Sequence, residues 1–241
     1  MNLNLAKDII VFVVVCLPPL LILWKVFREK GTNKFLLLFL GLIYVAISLF
    51  TQNFLPFIAT TICIVSFRRS EIYYKDYRKY SFSLRGFNLF KGLKYAMLSY
   101  IIVIILGAVG MQVFNYFKLP VKEQEIVSIM VNVPLKTFII LIPVTVIFAP
   151  IVEEFVFRWL FFERICKRRI GVILGAIITS LMFSATHFNL KSSFVIFGIG
   201  LFNCYLIHKK GYWYSVFNHM VFNSVSTFLI LFQKLGYINL G

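Results

Sequence analysis

The sequence predicts an all-α protein, a polytopic transmembrane helical bundle of about eight spans. Of its 241 residues, 60% are hydrophobic and 14% are charged, and the mean hydropathy is +0.88. Soluble domains carry roughly 45–50% apolar and about 25% charged residues, so the composition excludes an ordinary soluble protein. Because no long polar stretch separates a second unit, residues 1–241 are interpreted as a single integral membrane domain.

Apolar runs of roughly 17–25 residues, the length that crosses a bilayer, define the predicted spans. Residues 9–24 form the first, interrupted by Pro18-Pro19, and the block 35–67 divides at Gln52-Asn53 into two short helices. A proline inside a helix removes a hydrogen bond, so the fifth span is expected to break at Pro150. The last five spans are predicted over residues 95–117, 138–162, 171–188, 194–207 and 212–232.

Basic residues lie in short clusters between these runs, as they do in the cytoplasmic loops of membrane proteins. Four clusters hold 18 of the 25 basic residues; they lie within residues 25–34, 68–94, 164–169 and 209–210. The positive-inside rule predicts that these clusters are cytoplasmic and that both termini lie outside. The net charge of +16 is therefore assigned to topology and to anionic lipid, and no nucleic-acid partner is expected.

Two smaller patterns accompany this topology. Residues 68–94 mix basic side chains with four tyrosines, which is typical of a helix or loop at the membrane interface; these are Tyr73, Tyr74, Tyr77 and Tyr80. The four cysteines show no paired spacing, so neither a disulfide framework nor a cysteine zinc site is predicted. They are expected to be buried small side chains, at Cys16, Cys63, Cys166 and Cys204.

Charged residues inside the apolar runs are the most informative feature. A charge at the bilayer centre costs at least ~2.5–3.5 kcal/mol, and such residues usually mark function. Most of them lie in one segment, Glu153 to Arg158, where Glu154 and Arg158 have the i, i+4 spacing of a helical ion pair. Glu153 points about 100° away from Glu154 around the helix and is left without an obvious local partner.

Two histidines and an asparagine join this segment from other spans. His187 ends the sixth predicted span, and His219 and Asn223 share one face of the eighth because they are four residues apart. A glutamate with a histidine can bind and deprotonate water, while histidine and asparagine donors can hold a developing oxyanion. Peptide hydrolysis needs this combination of groups.

Three spaced motifs carry a family resemblance. Glu153-Glu154-x-x-x-Arg158, Phe183-x-x-x-His187 and His219-x-x-x-Asn223 occur in this order, which resembles the CAAX prenyl protease and bacteriocin-processing (CPBP, Abi) family of intramembrane endopeptidases. The resemblance covers residues 150–224, about the C-terminal third, and the first spans carry no such signature. A catalytic core over residues 138–232 is therefore expected.

The resemblance implies a role for each residue of the three motifs. Glu153 would activate the water with help from His187, and His219 and Asn223 would form the oxyanion hole. Glu154 and Arg158 would be structural or would orient the substrate. No cofactor is expected; zinc stays an alternative because two glutamates and two histidines could bind it, although no short His-Glu-x-x-His spacing is present.

The resemblance also implies a peptide or protein substrate at the membrane, with the lipid bilayer as the other partner. Members of this family process prenylated C-termini in eukaryotes and are linked to bacteriocin maturation, immunity and peptide signalling in bacteria. A multi-pass protein of the bacterial cytoplasmic membrane is expected here. A non-catalytic bacteriocin-immunity or peptide-sensing module is the alternative, and a transporter is disfavoured because the spans show no internal repeat.

The expected depths of the site residues conflict. At ~1.5 Å per residue, Glu153 lies about 16 Å from the basic cluster at Arg164, whereas His187 lies about 24 Å from Gly171. The cluster at Arg164 and the start of the next span at Gly171 are predicted at the same membrane surface. The side chains of Glu153 and His187 would therefore lie at depths that differ by several ångströms.

Overall fold

The computed structural model describes residues 3–51, 54–69, 82–119 and 124–238. Within these ranges the backbone forms helices and turns, without a β-strand. The predicted all-α class is confirmed. Of the interfacial segment, residues 70–81 with the four tyrosines lie outside the described ranges, as do the turn residues Gln52 and Asn53.

Nine helices, α1 to α9, account for the described chain. Helix α1 comprises Leu3–Val11, Phe12–Cys16 and Leu17–Glu29, and α6 comprises Leu135–Pro143, Val144–Phe148, Ala149–Glu153, Glu154–Cys166 and Lys167–Ile170. The others are α2 (Lys34–Thr51), α3 (Phe54–Arg69), α4 (Leu89–Tyr116), α5 (Glu125–Asn132), α7 (Val172–Ala185), α8 (Ser193–Lys209) and α9 (Tyr212–Lys234).

Each of the eight predicted spans is a helix in the structure. Helices α1, α4, α6 and α9 are long and apolar enough to cross a membrane, and α2, α3, α7 and α8 are shorter apolar helices. The chain is therefore a multi-pass membrane protein. Helix α5 was not predicted, and α4 begins at Leu89 rather than near residue 95, because the Asn88 side chain caps it by accepting from the Lys91 backbone N–H at 2.9 Å.

Prolines do not break the helices, contrary to the prediction. A π-helical segment precedes the prolines in both helices: Phe12–Cys16 comes before Pro18-Pro19, and Val144–Phe148 comes before Pro150. The wider π turn takes up the hydrogen bonding that proline disrupts, so the chain continues as one helix. Helix α6 consequently runs on to Ile170, and the basic residues 164–169 lie within it rather than after it.

The turn between α6 and α7 removes the conflict in depth. It is made by a single residue, Gly171, whose φ of 84° suits glycine, so the two helices run antiparallel from a common end. Glu153 lies 18 residues before Gly171 and His187 lies 16 residues after it. Because α6 extends past the basic cluster, both side chains reach a similar depth from this turn.

Contacts between helix ends agree with the predicted grouping of basic clusters. At one end, Lys30 donates to Ser66 at 3.4 Å and Lys167 lies 3.0 Å from His208. At the opposite end, the Lys234 ammonium donates to the Val131 carbonyl at 2.8 Å. Lys30 and Lys167 thus each contact a residue near the end of another helix.

Helix α6 is the central element of the bundle. Val152, Phe155 and Phe162 on this helix are fully buried, whereas α2 leaves large apolar side chains such as Phe35 and Leu42 exposed, as expected for a lipid-facing helix. All four cysteines are free; Cys166 is partly exposed and the other three are buried as predicted. The centre of the protein is therefore built around the helix that carries the acidic pair.

Candidate active site

The predicted Glu154–Arg158 pair is present in the core. Both side chains are 0% exposed, and Arg158 Nε lies 3.3 Å from Glu154 Oε2. The guanidinium carbon is 4.0 Å from the centroid of the Phe183 ring, and the guanidinium nitrogens have no hydrogen-bond acceptor among the described residues. Arg158 is thus held by one carboxylate and one aromatic face.

Glu154 is surrounded by donors from two other helices. Its Oε1 accepts from the Asn203 amide at 3.0 Å and from His219 Nδ1 at 2.9 Å, and its Oε2 accepts from the Ser215 hydroxyl. With Arg158 beside Oε2, the roughly four lone-pair sites of the carboxylate have partners on every side. Protein groups therefore occupy the positions around both oxygens of Glu154.

Asn203 and Ser215 were not predicted as site residues. Both are 0% exposed and lie in the spans predicted over 194–207 and 212–232. A polar side chain inside an apolar span was the available signal, since such groups need a buried partner. The sequence does not reveal which partner, because Asn203 is separated from Glu154 by 49 residues.

His219 connects the two glutamates. A carboxylate accepts hydrogen bonds, so the bond to Glu154 places the ring hydrogen of neutral His219 on Nδ1. The other nitrogen, Nε2, faces Glu153 Oε2 at 3.7 Å, which is longer than a direct hydrogen bond. The Glu153 side chain is 17% exposed, against 0% for Glu154. Glu153 is the accessible member of the acidic pair.

Phe183 brings the two histidines to the acidic pair. Its ring centroid lies 4.8 Å from that of His187 and 5.7 Å from that of His219, both in edge-to-face geometry. The Phe183 carbonyl accepts a hydrogen bond from His187 Nδ1 at 2.8 Å, so the ring hydrogen of neutral His187 is also on Nδ1. Both histidines therefore present an unprotonated Nε2 in the neutral form.

The Asn223 side chain is oriented by a backbone carbonyl of α6 that lacks its helical hydrogen-bond donor. In the π turn, the Ala149 N–H donates to the Val144 carbonyl instead of to Thr145, and the next residue, Pro150, has no N–H. The Thr145 carbonyl is left without these helical donors and accepts from the Asn223 amide at 2.8 Å. An amide nitrogen carries two hydrogens, so Asn223 keeps one for another acceptor.

A metal was left as an alternative in the sequence interpretation. Within the described ranges, no three His, Cys, Asp or Glu side chains come close enough together to form a metal cluster. The donors that remain unoccupied are the carboxylate of Glu153 and Nε2 of His187 and His219. Whether the protein works without a cofactor stays a prediction.

Comparison with known proteins gives a family for this region. Residues 135–225 match the family model described as Rce1-like, type II CAAX prenyl endopeptidase Rce1-like. The match makes this segment similar to that family. The resemblance inferred from the three motifs is thereby confirmed, and the Rce1-like match supports a CAAX-type intramembrane endopeptidase in general.

The Rce1-like match has a clear boundary in the chain. It begins at the start of α6 and ends within α9, so it includes the six residues named from the motifs. Helices α1 to α5 lie before it. No curated protein and no solved structure matches the chain.

Proposed function

We propose that this protein hydrolyses a peptide bond of a membrane-associated peptide or protein precursor, with Glu153 activating the attacking water. The observation that carries the proposal is the contrast within the acidic pair: Glu154 is enclosed by donors, while Glu153 Oε2 faces His219 Nε2 across 3.7 Å. A general base needs a free lone pair and access to water, and Glu153 has both.

The proposed reaction uses one water and one proton carrier. Glu153 takes a proton from the water, whose oxygen attacks the peptide carbonyl carbon and forms a tetrahedral intermediate. The carbon–nitrogen bond then breaks, and Glu153 returns the proton to the leaving amine. His187 positions the water, since its Nε2 can accept a hydrogen bond when Nδ1 donates to the Phe183 carbonyl.

Oxyanion stabilisation falls to Asn223 and His219 in this proposal. Asn223 donates from the N–H that Thr145 does not use. His219 donates from Nε2 only when both ring nitrogens carry hydrogen, with Glu154 accepting at Nδ1; its neutral form accepts at Nε2 instead. The proposed mechanism therefore starts from His219 with hydrogen on both ring nitrogens. That second hydrogen stays on the ring throughout the cycle, so Glu153 alone carries the proton from the water to the amine. Glu154 and Arg158 hold this histidine and take no proton from the substrate.

The location of the site favours a substrate that arrives from the bilayer. Glu153 lies between apolar helices, and the acidic pair is on a helix whose neighbours are buried aromatic side chains. Membrane peptides or precursors cut near the bilayer fit such a site, including bacteriocin or signalling peptides. We propose the bacterial cytoplasmic membrane as the location, with the basic clusters on the cytoplasmic side.

A divalent metal is a second candidate for activating the water. The favouring observation is that both histidines bind an acceptor through Nδ1, as metal-binding histidines usually do. Glu153, His187 and His219 would have to move closer together to hold it, since no three such side chains form a metal cluster among the described residues. A bound metal would lower the pKa of its water. Activity that survives chelator treatment, in protein shown by elemental analysis to be metal-free, would favour the glutamate mechanism over this one.

The decisive experiment compares Glu153→Gln with Glu125→Gln, an exposed glutamate on α5. Candidate substrates would be found by comparing the membrane peptides of cells with and without the protein. Digesting them with the purified protein in H₂¹⁸O would label the new carboxyl terminus at each cleavage site. We expect Glu153→Gln to lower kcat by about 10²–10⁴-fold and Glu125→Gln to leave it unchanged. Wild-type turnover by Glu153→Gln would overturn the proposal, and cellular protection that survives Glu153→Ala would favour the immunity function instead.

A further inference from the structure

A chain of buried polar side chains leads away from Glu154 to a helix outside the Rce1-like segment. Asn203 on α8, Asn218 on α9 and Ser99 on α4 are 0%, 2% and 3% exposed. Burying an amide in an apolar bundle is costly unless it is hydrogen-bonded. These three side chains bond to one another and to Glu154, so they form one connected network.

The hydrogen bonds of this network are donated outward from Asn218. The Asn218 amide nitrogen donates to Ser99 Oγ at 3.2 Å and to Asn203 Oδ1 at 2.8 Å. Asn203 then donates from its own amide nitrogen to Glu154 Oε1 at 3.0 Å. With both hydrogens of Asn218 used, Asn203 has its oxygen toward Asn218 and its N–H toward the carboxylate. Such a chain polarises each successive donor.

The network ends on the oxygen that also binds His219. Glu154 Oε1 accepts from both Asn203 and His219 Nδ1. The two donors, Asn203 and His219, fix the orientation of the Glu154 carboxylate. The carboxylate in turn orients the His219 imidazole so that Nε2 faces Glu153. If the Asn203 N–H is lost, Oε1 keeps a single partner and the carboxylate gains freedom to turn.

We infer that Asn203 and Asn218 are positioning residues that fix the orientation and tautomer of His219 through Glu154. Neither amide touches the reacting atoms: Asn203 acts through Glu154, and Asn218 acts through Asn203. The inference rests on the proposed function for its effect on turnover, but the tautomer itself is a property of the protein at rest. It also gives α4 a role, because Ser99 anchors the far end of the network.

Histidine NMR tests the orientation without an activity assay. The chain contains three histidines, so ¹⁵N-histidine labelling gives few signals, and His208→Gln assigns one of them. We expect neutral His219 of the wild-type protein to carry its hydrogen on Nδ1. We expect Asn203→Leu, close in size to the native residue, to raise the fraction with hydrogen on Nε2. Wild-type protein with His219 protonated on Nε2 would overturn the inference, whatever the variants do.

Turnover supplies the second readout. Supporting partners one shell away from a site usually contribute about 10–100-fold to activity, so Asn203→Leu and Asn218→Leu should lower kcat by that factor with KM nearly unchanged. Thr179→Val is the matched control, because Thr179 is also fully buried and donates to the Gly175 carbonyl of its own helix at 2.7 Å. The contact of its hydroxyl with another helix is to Cys204 Sγ at 3.6 Å, which is not part of the network. We expect this variant to keep the wild-type kcat.

The outcomes separate this inference from the proposed function. Active Glu153→Gln enzyme would overturn the function and leave the tautomer result standing. Inactive Glu153→Gln together with wild-type kcat and wild-type His219 signals in folded Asn203→Leu would overturn the positioning role alone. If the leucine variants do not fold, Asn203→Ala replaces them in both measurements, with the same expected direction.

Discussion

Helix α6 carries two glutamate–cation pairs with the same spacing, and each pair contacts a histidine from another helix. In the core, Glu154 pairs with Arg158 at 3.3 Å and accepts from a histidine on α9. Nine residues further along the helix, Glu163 pairs with Lys167 at 2.6 Å. The Glu163 carboxylate lies 3.2 Å from Nδ1 of His208 on α8.

Burial separates the two clusters. The Glu163 side chain is only 2% exposed, but its partners Lys167 and His208 are 20% and 14% exposed, whereas Glu154 and Arg158 are both 0% exposed. Water can therefore help to solvate the outer pair, while the inner pair depends on protein donors alone. The inner histidine also has a second carboxylate, Glu153, opposite its other nitrogen. One local motif thus serves as a helix-to-helix link at one depth and as part of the candidate site at another.

Removing the inner anion should have the largest effect on stability. Glu154→Gln leaves the buried Arg158 without its counterion, and breaking a buried pair in this way typically costs about 3–5 kcal/mol. We expect a large fall in Tm during thermal unfolding in nanodiscs. A Tm close to that of the wild-type protein would show that the guanidinium has a counterion other than Glu154.

Removing the proposed oxyanion donor should affect catalysis more than folding. Asn223→Ala deletes the spare N–H, and loss of one such donor commonly lowers kcat by about 10²–10³-fold. Its bond to the Thr145 carbonyl accounts for a smaller loss of stability, about 1 kcal/mol. Ser224→Ala is the control, since that hydroxyl donates to the Met220 carbonyl of its own helix. Equal kcat for the two variants would exclude Asn223 from the oxyanion hole.

The turn next to the outer cluster sets the depth of the inner one. Gly171→Ala places a Cβ at a φ of 84°, where no atom lies within 4 Å of it, so backbone strain is the main effect. We expect about 1–3 kcal/mol of destabilisation by chemical unfolding. Gly86→Ala, which also meets open space but has no positive φ, should be close to neutral. Similar unfolding curves for both would mean that the turn adapts without strain.

Breaking the outer cluster should have the smallest effect. Glu163→Gln removes the charge between Lys167 and His208 in a partly exposed setting, and we expect a loss of about 1 kcal/mol with unchanged kcat. The comparison is the Tm of Glu154→Gln, measured in nanodiscs prepared in the same way. If Glu163→Gln destabilises as strongly as Glu154→Gln, exposure does not explain the difference between the clusters.

Much of the fold was predictable because hydropathy and charge act locally. The eight apolar runs became helices, and the split of residues 35–67 agrees with the end of α2 at Thr51 and the start of α3 at Phe54. Helix ends were predicted less well. Pro150 did not end its helix, because a π turn and the Asn223 side chain took over the displaced hydrogen bonding, and Asn223 lies 78 residues away from Thr145.

The sequence by itself determined the membrane class, the helical runs and the six motif residues, since these depend on composition and short spacing. The tertiary structure decided which glutamate is enclosed, which carboxylates face the two nitrogens of His219, and that Asn203, Ser215 and Asn218 share one hydrogen-bonded network with Glu154. Those properties arise where α4, α6, α8 and α9 pack together, between atoms far apart in the chain. Hydrogen bonding and burial at such contacts are set by packing, which local sequence patterns do not encode.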